Sequence, residues 1–327
     1  MTETLTAPPG YDVLGGDVSW DPKRHLALET PAHVTLLDEW GPDAAGPTAL
    51  SPVAITAPFR LLSDEGVATL QAICSELERY AVGDERIPKK VRGSIYRSEF
   101  LRGMYGDPAV LAFLREMAQA PLEPHPISHH AIHINYAPDD LSRNVDQWHR
   151  DAVAFDYVLM VNDPRPMKGG RFEYFLGSVE EGKALLESGE GLPPDRVTTP
   201  DFPGPGWAVF QQGHRVLHRA ARLEERYPRI TLVASYWAPH PLLEDPTDLS
   251  TLLVTDGRDI ALVEWSRYAA LATARKLERF AETKTDWSRP LPELRDELRR
   301  ALELAEQAVE AFDRDEAGRI ISYGSGS

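Results

Sequence analysis

A histidine and an aspartate lie two positions apart in the stretch QWHRDAVAFDY, as His149 and Asp151. In a β-strand, residues i and i+2 point to the same side, so both side chains would face one ligand. Two imidazoles and one carboxylate on one face of a divalent metal ion leave the other positions open to reactants. His149 and Asp151 would supply two of these ligands, so a second histidine must come from elsewhere in the chain.

The stretch FQQGHRVLHRAARL, residues 210–223, offers His214 and His218 as the second histidine. Gly213 and His214 resemble a hairpin turn, because glycine is typical of such turns. His218 falls within the following apolar run, where a side chain can be directed inward. We predict His218 as the third metal ligand and keep His214 as the alternative.

An arginine, Arg229, begins the apolar strand-like run RITLVASYW. A guanidinium is costly to bury unless an anion pairs with it, and its planar fork fits a carboxylate. Thr231 faces the same way two residues later, so its hydroxyl can bond to the same anion. An arginine at a strand edge facing solvent is the alternative; the position shortly after His218 favours a carboxylate site.

Six short runs with the two-residue period of β-strands lie between about residues 127 and 238. No long helix separates them, which favours an all-β barrel or sandwich over alternating strands and helices. The runs cover residues 127–137, 154–163, 170–177, 206–212, 215–221 and 229–237, and residues 178–191 predict one short helix on a connection.

Helical patterns flank this strand-rich region. Ser63 and Asp64 can cap a helix over about residues 65–80, and another helix is expected over 108–118. The stretch 125–136 contains several histidines. Strand alternation would place His129 and His133 on one face, near the pocket, and His130 on the other, so this stretch does not predict a second metal site.

Apolar residues recur at helical spacing over 260–282 and 290–312. They predict a helical hairpin whose apolar stripe packs on the β-region or, alternatively, on a second copy of the chain. The chain therefore divides into an irregular N-terminal arm (1–57), a main domain (58–240) and a C-terminal helical extension (241–327).

The formal net charge of −16 repels polyanions, so nucleic acid and anionic membrane are not expected partners. The single cysteine, Cys74, excludes an intramolecular disulfide, and its apolar helical surroundings place it in the core. No apolar run approaches the roughly 18 residues of a membrane span, and the N-terminus lacks the pattern of a signal peptide. We therefore expect a cytoplasmic protein.

Together these motifs resemble the Fe(II)/2-oxoglutarate-dependent oxygenases. The resemblance rests on WHRD (residues 148–151), His218 after the run GWAVFQQ, and RIT (229–231), and it covers about residues 127–238. It implies Fe(II) bound by His149, Asp151 and His218, 2-oxoglutarate bound by Arg229 and Thr231, and O2 as a reactant. The implied fold is mainly β with flanking helices: a double-stranded β-helix (jelly-roll, cupin-like) core, to which the C-terminal helical hairpin is added.

Finer details resemble the branch that contains phytanoyl-CoA hydroxylase and ectoine hydroxylase. They are HAIHINYAP (130–138), QWHRD (147–151) and GGRFEYFLGS (169–178). This resemblance implies that His133 and Asn135 contact the cosubstrate, although the branch often has glutamine where His133 stands.

The resemblance implies hydroxylation of a small molecule or natural-product intermediate, with release of succinate and CO2. Halogenases of this superfamily replace the aspartate by glycine or alanine, so Asp151 argues against halogenation. Desaturation, oxidative cyclisation and epimerisation use the same ligands and stay open. A non-redox, cupin-like metal-binding protein is the alternative from another class, and Arg229 with Thr231 argues against it.

Overall fold

The computed structural model describes residues 6–46, 49–239, 245–282, 287–314 and 318–323. These residues form thirteen strands, all in antiparallel pairs. The strands are β1 (Val34–Leu36), β2 (Val53–Thr56), β3 (Phe59–Arg60), β4 (Lys90–Val91), β5 (Glu123–Pro124), β6 (Ile132–Tyr136), β7 (Asp146–His149), β8 (Phe155–Met160), β9 (Phe172–Phe175), β10 (Val197–Thr198), β11 (Trp207–Gln211), β12 (His218–Ala220) and β13 (Ile230–Trp237).

The helices lie before, between and after the strands. They are α1 (Pro22–His25), α2 (Pro42–Ala45), α3 (Asp64–Leu77), α4 (Ser94–Arg97), α5 (Glu99–Tyr105), α6 (Pro108–Ala118), α7 (Ser128–Ala131), α8 (Val179–Ser188), α9 (Leu249–Thr255), α10 (Arg258–Glu282) and α11 (Leu291–Asp313), with single 3-10 turns at Leu37–Trp40, Glu78–Tyr80 and Pro194–Arg196. Within the described residues, no helix is both long enough and apolar enough to cross a bilayer.

The strands form two sheets. The larger has the order β1-β2-β11-β8-β13-β6-β4, with β3 also paired to β11 and β5 to β13, and the smaller has the order β10-β9-β12-β7. From β6 onward the chain passes back and forth between the sheets, so neighbouring strands within a sheet are distant in sequence. This long-range pairing brings residues near 150, 218 and 230 together.

Strand alternation divides the side chains of the larger sheet between two apolar clusters. Val158, Val209 and Val233 pack with Phe172 of the smaller sheet, so this cluster fills the space between the sheets. Alternate residues such as Tyr157 and Phe210 belong to the other cluster, which also contains side chains of α3, α5 and α6. The face of the larger sheet that points toward the smaller sheet carries these valines. By the same alternation, polar residues two positions away from them also point into the space between the sheets.

Several predicted helices match the structure closely. Ser63 caps α3 by accepting a hydrogen bond from the Gly66 backbone N–H at 3.0 Å, as predicted. Helix α6 covers the predicted residues, and α8, α10 and α11 lie within about two residues of the predicted bounds at nearly every end. Cys74 of α3 is fully buried in the core, also as predicted.

In the described part of residues 1–57, strands β1 and β2 depart from the predicted irregular arm. Strand β2 is fully buried and pairs with β1 on one side and β11 on the other, so this segment extends the larger sheet. Its apolar sequence VAIT is short, and only pairing with a distant strand identifies it as part of the sheet.

The predicted strand geometry of residues 127–131 is wrong. Residues Ser128–Ala131 form the helical turn α7, so the alternation used for His129 does not hold. The Nδ1 atom of His129 lies 2.9 Å from Asp256, away from His133 and the inter-sheet space. The cause is a carboxylate from a distant helix: Glu264 of α10 accepts hydrogen bonds from the backbone N–H groups of Ser128 and His129 and so stabilises the turn.

Helix α10 packs its apolar stripe against the β-region. Trp265 and Tyr268 lie in one cluster with Ile127 and Trp237, and α11 adds Ala308 to the same cluster. The sequence left two alternatives for the apolar stripe: packing on the β-region or on a second copy of the chain. For α10, the described residues show packing on the β-region. Helix α11 keeps an apolar outer face, so pairing of two copies there stays a prediction; the exposed residues are Leu291, Leu298, Leu302, Val309 and Phe312.

A buried ionic cluster joins the C-terminal extension to the main domain. Arg92 donates two hydrogen bonds to the Asp256 carboxylate, at 2.5 and 2.7 Å, and His129 contacts the same group. Burial alone would raise the pKa of Asp256, but the positive charge of Arg92 and the contact with His129 outweigh it and lower this pKa. The carboxylate thus carries a charge that compensates a buried guanidinium.

We expect Asp256→Asn to lower the free energy of unfolding by about 3–5 kcal/mol, because it leaves the buried Arg92 without its anion. Urea denaturation measures the change. A lowered folded-state pKa contributes stability above the unfolded pKa of about 3.9 and loses it as pH falls, so the difference from the wild type should shrink below about pH 4.

The matched control is Asp259→Asn, an exposed aspartate at the start of α10, which should stay within about 0.5 kcal/mol of the wild type. Equal effects of the two substitutions would contradict a specific role for the Arg92–Asp256 pair.

Candidate metal centre and carboxylate pocket

Three side chains converge between the sheets as a group that could hold a metal ion. His149 ends β7 and His218 begins β12, and the two residues are direct antiparallel partners. Asp151 Oδ1 lies 3.4 Å from His149 Nε2, and Asp151 Oδ2 lies 3.4 Å from His218 Nε2. The ligand atoms of the three residues all lie within 4.8 Å of one another.

Backbone carbonyls fix the orientation of both imidazoles. Nδ1 of His149 lies 2.6 Å from the Gln147 carbonyl oxygen, and Nδ1 of His218 lies 2.8 Å from that of Val216. Only a protonated Nδ1 can donate to a carbonyl, so these contacts leave Nε2 of each ring to face Asp151. Burial, together with the neighbouring His149, lowers the pKa of His218 to about 4 and keeps it neutral at pH 7.

His214 lies outside this group. It occupies the predicted turn, where its Nδ1 lies 3.1 Å from the Ala154 carbonyl oxygen. Among the described residues, the group with metal-ligand spacing contains His218 and not His214.

Asp151 reaches the site by a different route from the predicted one. Strand β7 ends at His149, so the i, i+2 strand rule does not position Asp151. Instead its backbone N–H donates to the Gly213 carbonyl at 3.0 Å, which ties the segment after β7 to the turn between β11 and β12. A Cβ at Gly213 would collide with the carboxylates of both Asp151 and Asp156.

Asp156 is a buried acid that the sequence analysis missed. It lies on the inner face of β8, one alternation from Val158, and its side chain is fully buried next to Asp151. Burial raises its pKa well above the ordinary value, and the negative charge of Asp151 adds to this. For Asp151, burial also raises the pKa, but His218 and His149 outweigh it and lower this pKa. Of the two acids, Asp156 is therefore the one that holds a proton more readily.

Arg229 lies immediately before β13 and is buried, with 3% of its surface exposed. Its Nε donates to the Gly170 carbonyl at 2.7 Å, and its Nη1 donates to Thr231 Oγ1 at 3.2 Å. No carboxylate of the described residues lies within ion-pair distance of it, and burial lowers its pKa to about 10, so it is still charged at pH 7. The negative charge of Asp146, which is paired with Arg86, partly opposes this lowering from beyond ion-pair distance. A buried guanidinium without a close carboxylate could bind an anionic ligand.

Strand β6 adds two further polar side chains beside Arg229. Asn135 is the register partner of Thr231, and His133 is that of Val233. Both are buried, and neither the Nδ1 of His133 nor the Oδ1 of Asn135 has a hydrogen-bond partner. Burial lowers the pKa of His133 well below its ordinary value, so its ring is neutral.

All seven predicted site residues line one cavity between the sheets. It is lined by His133, Asn135, His149, Asp151, His218, Arg229 and Thr231, together with Asp146, Asp156, Val158, Phe172, Arg219, Ala220 and Val233. Asp146, also missed from the sequence, forms an ion pair with Arg86 at 3.1 Å. An acidic residue in an apolar strand is the signal that could have identified Asp156; Asp146 has no comparable signal.

No protein-family model matches the chain, and no curated protein is significantly similar to it in sequence. Among solved structures, the non-heme alpha-ketoglutarate-dependent carbocyclase SnoK from nogalamycin biosynthesis shares 15% identity over 64% of this chain and 88% of that one, with a TM-score of 0.43. The non-heme alpha-ketoglutarate-dependent epimerase SnoN from the same pathway shares 18% over 54% and 74%, with a TM-score of 0.39.

A third solved structure is HygX from Streptomyces hygroscopicus with nickel, 2-oxoglutarate and hygromycin B bound. It shares 14% identity over 54% of this chain and 79% of that one, with a TM-score of 0.38. At TM-scores this low, the three similarities establish neither the fold nor the activity of this chain.

We expect His218→Ala to weaken Ni(II) binding by more than about 100-fold, since losing a ligand should cost more than losing an outer partner, which costs about 10- to 100-fold. Isothermal titration calorimetry measures the dissociation constant. His214→Ala is the control and should bind Ni(II) like the wild type. Loss of binding in His214→Ala with retention in His218→Ala would assign the ligand role to His214.

Proposed function

We propose that this chain is an Fe(II)/2-oxoglutarate-dependent oxygenase that acts on a small molecule and is built on a double-stranded β-helix. One observation carries the proposal: a buried, charged arginine, with no carboxylate of the described residues within ion-pair distance, faces the same cavity as a His-Asp-His group with metal-ligand spacing. The passage of the chain between two antiparallel sheets that share an apolar interior supports the fold.

The donor set of the metal group fits Fe(II). Two imidazoles, each with Nδ1 held by a backbone carbonyl, and one carboxylate are typical of non-haem iron centres that keep positions open for reactants. His149, Asp151 and His218 would hold the metal through these atoms. A thiolate site is excluded within the described residues because Cys74, the only cysteine, lies in the core.

The carboxylate pocket fits 2-oxoglutarate. The guanidinium of Arg229 and the hydroxyl of Thr231 would bind its distal carboxylate by charge-assisted hydrogen bonds. The unpartnered polar atoms of His133 and Asn135 lie on the neighbouring strand and would contact the rest of the molecule. A metal-binding protein without this cosubstrate would gain nothing from burying Arg229 here.

When bound, Fe(II) and 2-oxoglutarate supply an oxidation by O2 that releases succinate and CO2. The chain's part is to orient the reactants and to exclude water. Most of the cavity residues are buried, and the two sheets close it on opposite sides. We propose hydroxylation as the outcome; desaturation, cyclisation and epimerisation use the same residues.

The proposed substrate is a small molecule, such as a natural-product intermediate. The net charge of −16 gives a field that repels polyanions, which argues against nucleic acid as the substrate.

The test is anaerobic addition of Fe(II) and 2-oxoglutarate, which should produce the weak visible charge-transfer band of the chelate. We expect Arg229→Ala to weaken 2-oxoglutarate binding by at least about 30-fold, because truncating one partner of a buried ion pair costs about 2–5 kcal/mol. Ni(II) binding by the same variant should be retained, since Arg229 is not a metal ligand.

Arg226→Ala is the matched control, since Arg226 is an exposed arginine three residues earlier, and it should titrate like the wild type. A wild-type protein that forms no band, or an Arg229→Ala variant with unchanged 2-oxoglutarate affinity, would overturn the proposal. Succinate release across a panel of small metabolites then identifies the substrate.

A further inference from the structure

Two buried polar residues without an assigned role lie beside the metal group. Gln211 ends β11 and is the register partner of Asp156 at the start of β8, so both project from the same face of the larger sheet. Each has no exposed surface. The strand positions before them on this face carry apolar residues such as Val209, so a carboxamide and an acid here need an explanation.

The Gln211 carboxamide contacts three members of the site. Its nitrogen lies 3.1 Å from Asp156 Oδ1, 3.3 Å from His218 Nε2 and 3.5 Å from Asp151 Oδ2. The first contact is a good hydrogen bond, and the third is at the limit of one. The Gln211 amide therefore lies against Asp151 Oδ2, the oxygen that is also 3.4 Å from His218 Nε2, while Oδ1 faces His149.

Asp156 lies on the same side of Asp151. A Cβ at Gly213 would collide with the Oδ2 atoms of both carboxylates, which shows that these two oxygens sit side by side beneath the turn. Among the described residues, Asp156 Oδ2 has no hydrogen-bond partner, whereas Oδ1 accepts from Gln211. The missing side chain at Gly213 is what allows the backbone to close over the pair while its carbonyl accepts the Asp151 N–H.

We propose that Gln211, anchored by Asp156, is a positioning residue that holds Asp151 Oδ2, so that Asp151 would offer Oδ1 to a metal. This inference rests on the proposed function. Its consequence is chemical: an aspartate that bound through both oxygens would occupy a position needed for the cosubstrate or for O2. Partners of this kind fix the orientation of a ligand without touching the metal.

Co(II) is the probe, because its visible spectrum reports the number and geometry of its ligands. Gln211→Met keeps the volume but removes the amide, so we expect Co(II) affinity to fall by about 10- to 100-fold and the visible bands to change. Asp156→Asn should keep the wild-type spectrum, because the asparagine carboxamide can accept a hydrogen bond from Gln211 and donate one to Asp151.

Gln212→Met is the matched control. Gln212 is equally buried, but its carboxamide donates to the backbone carbonyls of Ser51 and Val53, away from the carboxylates. It should lose stability in thermal denaturation and keep the wild-type Co(II) affinity and spectrum. Gln211→Asn, which keeps a carboxamide but withdraws it by one methylene, carries the same test if Gln211→Met does not fold.

The outcomes separate this inference from the proposed function. If the wild type binds Co(II), His149→Ala does not, and the Gln211 variants match the wild type in affinity and spectrum, the positioning role is wrong and the oxygenase proposal stands. Equal spectral changes in the Gln211 and Gln212 variants also overturn the positioning role. If the wild type does not bind Co(II), both the positioning role of Gln211 and the oxygenase proposal are wrong.

Discussion

The antiparallel pairing of β12 with β7 is the constraint on which the site depends. It places His218 directly opposite His149, with ring centroids 4.2 Å apart, although 69 residues separate them along the chain. The side-chain period of a strand is two, so a slip of one residue would turn His218 to the other face. Apolar burial between the sheets, which includes Phe172 and Val216, fixes this register.

The turn between β11 and β12 also fixes the position of Asp151 relative to the two histidines. Gly213 holds the backbone of Asp151 and leaves room for the Asp151 and Asp156 carboxylates, while Gln211 approaches from the end of β11. One short connection thus determines the position of the carboxylate, and the strand that follows it supplies the second imidazole. The metal group and its supporting residues are therefore parts of one local arrangement.

Charge is compensated in two different ways in the interior. At the junction with the C-terminal extension, Arg92, Asp256 and His129 satisfy one another, so this cluster is structural and joins α10 to the main domain. In the cavity, the hydrogen bonds of Arg229 to the described residues go to a carbonyl and a hydroxyl, and no carboxylate of these residues lies within ion-pair distance. Arg92 thus has a close anion and Arg229 does not, and this difference is the basis for proposing a binding role for Arg229.

The residues that line the candidate site could be proposed from the sequence, because residue type and local spacing identify them. The HxD pair, a histidine in an apolar run and an Arg-x-Thr at a strand start pointed to His149, Asp151, His218, Arg229 and Thr231, and the helical periods located α3, α6, α10 and α11. These are short-range patterns, and each is set by the properties of neighbouring residues. The pairing of β2 with β11 and the side-by-side position of Asp156 and Gln211 needed the fold, because they join segments about 55 to 155 residues apart. The helical turn at Ser128–Ala131 was decided by Glu264, more than 130 residues away, and no local pattern records such a contact.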